Sequence, residues 1–385
     1  MLDRLSSSPN SYSPFFIASE IYRTTNHGRH HPLAIPRVSL TMDICRELGW
    51  LHPGNFIDSP CATVRDLARF HDPGYIDAVA AAERTGDAPE NIRRRHQIGT
   101  NGNPIFDGMY SRSATACGGG MLGAQILMNN ETDRVYAPGG GQHHARSDLA
   151  SGFCFFNEPV LSILTMLECG AGRVFYLDLD AHHGDGVQDA FAYDERVFTL
   201  SIHEEGRWPM ARDGSGSGSA SDRAGGAARN LPVPAGFNDQ ELEYLTESVI
   251  LPLIAEFIPD AVYVQCGADS LADDPQSKLL LSNIAIWQTV AAVASVAPKI
   301  LVAGGGGYNP YAVGRCWSGI WATLRNHPIP EELPDAAQAC LRAVVWQHRL
   351  GRNVPDYWVN TLADPFNVTS VRKSITQLAR RTLEH

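Results

Sequence analysis

The sequence is short of the features that mark several common protein classes. Its eight cysteines, at positions 45, 61, 117, 154, 169, 266, 316 and 340, never form a C-x-x-C pair. That argues against a thioredoxin-type redox site and a cysteine-ligated zinc. Scattered thiols of this kind suit a reducing compartment, so a cytoplasmic location is expected. Long hydrophobic runs are also missing. The most apolar stretch, Ile284 to Ala297, is broken by Gln288, Thr289 and Ser295 and falls short of the ~20 residues that span a bilayer. Met1 to Phe16 shows no basic segment followed by an apolar core, so no secretory leader is read there. Positive charge is in deficit, with 31 Lys and Arg against 42 Asp and Glu and a formal charge of -11. Gripping a phosphate backbone takes concentrated Lys and Arg, so direct nucleic-acid binding is not expected. The densest basic run, Arg93-Arg94-Arg95-His96, reads as a solvated helix end.

Hydrophobic residues, in contrast, make up 44% of the 385 positions, enough for a large core. One domain over 1–385 is expected, with a motif-bearing part at about 31–324 and a helical tail from about 334. Five apolar, β-branched or aromatic runs stand out: Arg134–Tyr136, Arg173–Leu177, Val197–Ile202, Ala261–Gln265 and Lys299–Ala303. Continuous runs of this length are typical of strands buried on both faces of a parallel sheet. Helical spacing falls between them at Glu158–Cys169, Gln240–Phe257, Ser282–Val296 and Pro310–Leu324, with Asn238 and Asp239 placed to cap the second. The alternation predicts an α/β fold with a mostly parallel central sheet and helices on both faces. The Gly- and Ser-rich stretch from Asp213 to Ala228 reads as a mobile surface loop, since strand-like sequence continues on both sides.

In open parallel sheets, ligands bind beyond the carboxyl ends of the strands. After the first run come Gly139-Gly140-Gly141-Gln142-His143-His144, and the second leads into Asp178-Leu179-Asp180-Ala181-His182-His183-Gly184-Asp185. His203 and Glu204 close the third, Gly267-Ala268-Asp269 follow the fourth, and Gly304–Gly307 with Tyr308 follow the fifth. The polar residues therefore converge on one sheet edge. In an extended segment Asp178, Asp180 and His182 point one way while Leu179 and Ala181 point the other. Two carboxylates and an imidazole on one face call for a cation among them. Mixed carboxylate and imidazole donors suit Zn²⁺, with Asp269 as the natural third ligand and one position left open. His143 and His144 fit a general base and its electrostatic neighbour, if a carboxylate orients each. The glycines at 139–141 and 304–307 match neither phosphate-loop pattern, and Tyr308 would supply a phenol to a developing oxyanion.

These residues resemble the zinc-dependent histone deacetylases and their acetoin-utilisation and acetylpolyamine amidohydrolase relatives. Besides the segments above, Gly152-Phe153-Cys154-Phe155-Phe156-Asn157 and Gly267–Pro275 carry the likeness, and the motifs occur in the family's order. The resemblance implies a three-layer arginase-like fold and one Zn²⁺ held by Asp180, His182 and Asp269. It further implies paired histidines, His143 backed by Asp178 and His144 by Asp185, with His144 as general base and Tyr308 on the oxyanion. Gly152, Phe153, Trp208, Gln276 and Gly306 would line a narrow tunnel for an acyl-lysine-like chain. Asp178 and Ser201 would help hold a structural K⁺ or Na⁺. The implied activity is hydrolysis of an acylated lysine or a small acylated amine. No membrane partner is implied, and assembly into homo-oligomers is compatible with the sequence.

Three positions depart from the family pattern. Gly102, in Asn101-Gly102-Asn103-Pro104, stands where an aspartate anchors the backbone of a peptide substrate. Gln276 replaces an apolar residue at the tunnel mouth, and Gly141-Gln142 precedes the histidine pair where an apolar residue is usual. A binuclear manganese ureohydrolase on the same fold is the alternative enzyme class, kept open by Asp180-Ala181-His182 and by Asp273. A non-catalytic binding module is the third reading.

Overall fold

The computed structural model describes residues 13–25, 27–28, 31–211, 216–365 and 370–384. Eight strands form one sheet in which every pairing is parallel. They are β1 (Phe15–Ala18), β2 (Phe56–Asp58), β3 (Arg134–Ala137), β4 (Val174–Asp178), β5 (Val197–Glu204), β6 (Ala228–Val233), β7 (Ala261–Gln265) and β8 (Ile300–Ala303). Their spatial order is β2-β1-β3-β8-β7-β4-β5-β6.

Alternation along the inner strands explains why both faces are covered. Phe175, Leu177, Val262, Val264, Ile300 and Val302 enter one core. Val174, Tyr176, Ala261, Tyr263, Leu301 and Ala303 enter the core on the opposite face. A strand with apolar residues on both sides is stable only between two helical layers. Helices Asn283–Val296 and Pro310–Leu324 pack in the first core, and Met109–Met128 and Glu158–Glu168 in the second. Asn157, Ser282 and Asn309 cap three of these helices through side-chain oxygens that accept backbone N–H bonds. Asn238 caps the segment Asp239–Phe257, which passes through a π turn at Thr246–Ile250.

Three strands lie outside the five expected. β1 and β2 are only four and three residues long. β6 reads ARNLPV and pairs on one side only, with β5. A short or mixed-polarity edge strand leaves little periodic signal. The Gly/Ser stretch also differs from expectation in its described part. Ser217 Oγ meets His183 Nε2 at 3.0 Å, and the Gly218 carbonyl accepts from His203 Nε2 at 2.9 Å. The stretch from 216 onward is thus pinned against two buried histidines, while Asp213 lies outside the described residues. No helix among the described residues is long and apolar enough to cross a membrane.

Candidate active site

Because all strands run parallel, the segments after β3, β4, β5, β7 and β8 emerge on one edge. The turn after β3 meets the turn after β8 directly. Gly141 has φ +91°, and a Cβ there would lie 2.7 Å from the Gly305 nitrogen, so only glycine permits the contact. Below the turn sits Glu158, fully buried. Its Oε2 accepts from the Gly141 N–H (2.8 Å) and the Tyr263 hydroxyl (2.5 Å), and its Oε1 from Ser162 (2.5 Å). Burial raises its pKa, and the three donors oppose that rise.

The turn delivers two histidines, each backed by a carboxylate. His143 Nδ1 donates to Asp178 Oδ2, and His144 Nδ1 to Asp185 Oδ1, both at 2.7 Å. Tyr176 donates to the same Asp178 oxygen at 2.6 Å, and Arg146 to the second Asp185 oxygen at 2.8 Å. The two rings lie 3.9 Å apart between centroids, yet their electrostatics diverge. Burial opposes the charge on His143, but Asp178 and Asp180 outweigh it and raise the pKa to about 9. Burial and then the neighbouring His143 lower His144 to about 4. The two rings are thus pushed in opposite directions, His143 toward the charged form by its carboxylates and His144 toward the neutral form by burial and by its neighbour, a difference useful to proton transfer.

β4 ends at Asp178, so the extended alternation expected through His182 stops there. Leu179 and Ala181 still enter the core, but Asp178 turns to His143 while Asp180 and His182 turn to Asp269. Asp180, His182 and Asp269 each offer a ligand atom, all within 4.8 Å of one another. His182 Nδ1 lies 3.2 Å from Asp180 Oδ1 and 2.9 Å from Asp269 Oδ2. Backbone N–H groups orient the carboxylates: Gly306 donates to Asp180 Oδ2 (2.7 Å) and Ala181 to Asp269 Oδ1 (3.0 Å). A Cβ on Gly306 would fall 2.1 Å from Asp269 Oδ2, so the chain is bare where it wraps the cluster. Burial opposes charge on His182, but Asp180 and Asp269 outweigh it and raise its pKa, so the pocket favours positive charge. Two oxygens and one imidazole nitrogen in a buried cradle fit Zn²⁺ with an open position.

Tyr308 closes the site from the β8 side. Its N–H and that of Asn309 donate to Asp274 Oδ2 at 2.6 and 3.2 Å. Burial pushes its hydroxyl pKa well above the ordinary value, so the phenol keeps its proton and remains a donor. Trp208 lies 4.7 Å from His144 between centroids, and Phe153 lies 6.1 Å from Tyr308. Gly152 makes this possible, since a Cβ there would sit 2.5 Å from both His144 and Trp208. Phe153 itself takes φ 68°, held by its N–H bonds to the Gly102 carbonyl (3.0 Å) and Asn103 Oδ1 (3.1 Å). A strained non-glycine residue persists only where its surroundings fix it. Outside lies a groove of about 930 Å³ that includes Gly102, Glu205, Trp208, Gln276 and Lys278. Asp178 and Ser201 are register partners on β4 and β5, and Ser201 Oγ lies 2.8 Å from His203 Nδ1.

Sequence reasoning overlooked Arg37 and Glu158. Arg37 is half-buried behind the site, donates to the Gly305 carbonyl at 2.6 Å, and lies within electrostatic reach of Tyr308, Asp269 and Asp180. No motif surrounds it. Glu158 carried a detectable signal, an acidic residue opening an otherwise apolar helix. Asp273, which kept the manganese alternative open, is turned away from the cluster: it accepts from Tyr357 Oη and Trp358 Nε1, each at 2.7 Å.

The histone deacetylase domain matches residues 31–324. The chain belongs to the histone deacetylase family. Acetoin utilization protein AcuC of Bacillus subtilis is 30% identical over 375 residues, covering 96% of this chain and 95% of the relative. Histone deacetylase 8 of Xenopus tropicalis is 32% identical over 305 residues, covering 78% and 80%. A Caenorhabditis elegans relative with a histone deacetylase name is 34% identical over 318 residues, and the match spans 61% of its length. The crystal structure of a histone deacetylase homologue from Aquifex aeolicus superposes with a TM-score of 0.89 at 32% identity, covering 96% of this chain and 99% of that one. A homologue complexed with SAHA gives the same values. The eight-stranded sheet is thus the arginase-like sheet of this family.

Proposed function

We propose that the protein is a zinc-dependent deacylase that hydrolyses the amide of an acylated lysine or a small acylated amine. The observation that carries this reading is the meeting of an Asp-His-Asp set with buried carboxylates, two carboxylate-backed histidines and a protonated tyrosine at one end of a histone deacetylase-type sheet. Asp180, His182 and Asp269 would hold a single Zn²⁺, which when bound supplies Lewis acidity to the amide carbonyl and to water.

The remaining chemistry falls to side chains. Neutral His144, kept in one tautomer by Asp185, accepts the proton of the attacking water at Nε2. Tyr308 donates its hydroxyl proton in a hydrogen bond to the oxygen that becomes negative as water adds to the carbonyl. Protonated His143, held by Asp178, supports that charge, and the leaving nitrogen takes a proton from the histidine pair as the C–N bond breaks. Phe153 and Trp208 hold the chain of the substrate and limit water. Asp178 and Ser201, with nearby carbonyls, are the candidates for a structural K⁺ or Na⁺; their register pairing supports this. A cytoplasmic setting belongs to the same reading, supported by eight unpaired cysteines.

The test is acetate release by zinc-loaded protein from a panel of acetyl-lysine peptides, free acetyl-lysine and acetylated polyamines. Turnover of at least one member is expected. Silence across the panel with zinc bound would contradict the proposed function.

A further inference from the structure

We propose that Tyr357 and Trp358, in the C-terminal segment, are positioning residues for Tyr308 and act on it through Asp273 and Asp274. This rests on the deacylase reading above, since it concerns how the phenol is aimed. Tyr308 follows four glycines, Gly304–Gly307, of which Gly305 and Gly307 take φ values of +146° and +134°. A glycine run has wide backbone freedom and no side chains with which to lock itself, so the place of Tyr308 is imposed from outside. Asp274 does this: its Oδ2 accepts the N–H groups of Tyr308 and Asn309 at 2.6 and 3.2 Å, and its Oδ1 accepts that of Gln276 at 2.9 Å. Its own N–H donates to the Leu271 carbonyl at 3.0 Å. The neighbouring Asp273 makes the outward connection. Its carbonyl accepts from Asn309 Nδ2 at 3.0 Å, and its Oδ2 accepts from Tyr357 Oη and Trp358 Nε1, each at 2.7 Å. One aspartate grips the backbone of Tyr308, and the next is gripped by the C-terminal segment.

That segment is itself fixed. Trp358 is buried and stacks on Tyr311 (5.3 Å, 26°). Fully buried Arg315 donates to the Thr361 and Ala363 carbonyls at 2.7 and 2.9 Å and pairs with Asp364 at 2.7 Å. Asn283 Nδ2 donates to the Leu362 carbonyl at 2.7 Å. The segment is therefore locked to Pro310–Leu324, the helix that begins just after Tyr308, and it closes a ring of bonds around that residue. Donors bonded to a carboxylate form strong hydrogen bonds, and in sheltered surroundings water replaces them poorly. A shift of about 1 Å in a catalytic group costs roughly a hundredfold in rate, so this anchoring bears on the chemical step rather than on substrate affinity. Tyr357 and Trp358 lie beyond 31–324, the stretch matched by the family domain.

Tyr357→Phe and Trp358→Phe each remove one donor and keep an aromatic ring. Together they should lower kcat about tenfold while KM and zinc content stay unchanged. Asp273→Ala should do the same, and Asp273→Asn, which keeps an acceptor oxygen, should recover most of the loss. The decisive comparison is made in the Tyr308→Phe background. Residues that act by aiming the phenol have nothing left to aim there, so losing both donors should cost no further kcat. An equal loss in both backgrounds, or a loss confined to KM, would overturn the proposal. Hydrogen exchange reads the same linkage without turnover. Removing both donors should speed exchange of the Tyr308 and Asn309 amides about tenfold or more, while the Ala181 amide, bonded to Asp269, stays as slow as in the wild type. Unchanged exchange at Tyr308, or equal acceleration at Ala181, rejects the positioning role. Tyr357→Phe alone, at a half-buried ring, carries both measurements if Trp358→Phe fails to fold. If wild-type protein cleaves no acylated amine, only the deacylase reading fails, and hydrogen exchange still decides the linkage.

Discussion

The floor and the rim of the active site are built by opposite means. On the floor most functional side chains come from segments that leave the parallel strands, lie buried or nearly so, and are fixed by short bonds: Asp178 and Asp185 to the histidines, Gly306 N–H to Asp180, Glu158 to the glycine turn. At the rim, Gly102, Trp208 and Gln276 come from loops far apart in the chain, and Trp208 is 51% exposed. Burial makes each floor bond hard to lose without replacement, while exposed loops tolerate change. The floor should therefore govern the chemical step, and the rim should govern which amine is accepted.

Substitution on the floor should give the largest effects. Asp180→Ala or Asp269→Ala is expected to abolish zinc binding and reduce turnover by about a thousandfold or more, measured by metal analysis and acetate release. Tyr308→Phe should retain zinc and lower kcat by about a hundredfold with little change in KM; near-normal turnover would remove Tyr308 from the chemistry.

Acid should weaken the floor. Buried His71 accepts the Asn157 N–H on Nε2, and Asn157 holds the carbonyls of His143 and Ala145. Burial lowers His71 to about 4 from 6.5. The unfolded chain therefore takes up this proton first. Stability is fully present above pH 6.5 and falls as the pH drops toward 4, by up to about 3 kcal/mol from this group. Urea unfolding at pH 7 and pH 4.5 measures it. Glu158→Gln should lower stability by roughly 1–3 kcal/mol, because its amide keeps fewer acceptors for the three buried donors; thermal unfolding reads the shift. The smallest effect is expected at the rim. Gly102→Asp has room for its side chain, with nothing within 4 Å of the added Cβ, and should lower KM for acetylated peptides several-fold while leaving kcat unchanged.

The same contrast explains what the sequence reveals. Floor residues adjoin continuous apolar strands, so β3, β4, β5, β7 and β8 and the chemistry after them could be read together. Asp180, His182 and Asp269 belong to such segments. Arg37 reaches the Gly305 carbonyl across the fold with no local pattern around it. β6 hides because its mixed composition serves an edge, and the Gly/Ser stretch looks free although Ser217 and Gly218 bond to buried histidines.

Under the proposed function, one zinc ion at Asp180, His182 and Asp269 is all that the organised floor needs for hydrolysis. The most direct measurement is a zinc titration of metal-stripped protein, following acetate release from an acetyl-lysine substrate. Activity is expected to rise linearly and to level at one equivalent per chain. Activity in the stripped protein, or a plateau only at two equivalents, would contradict it.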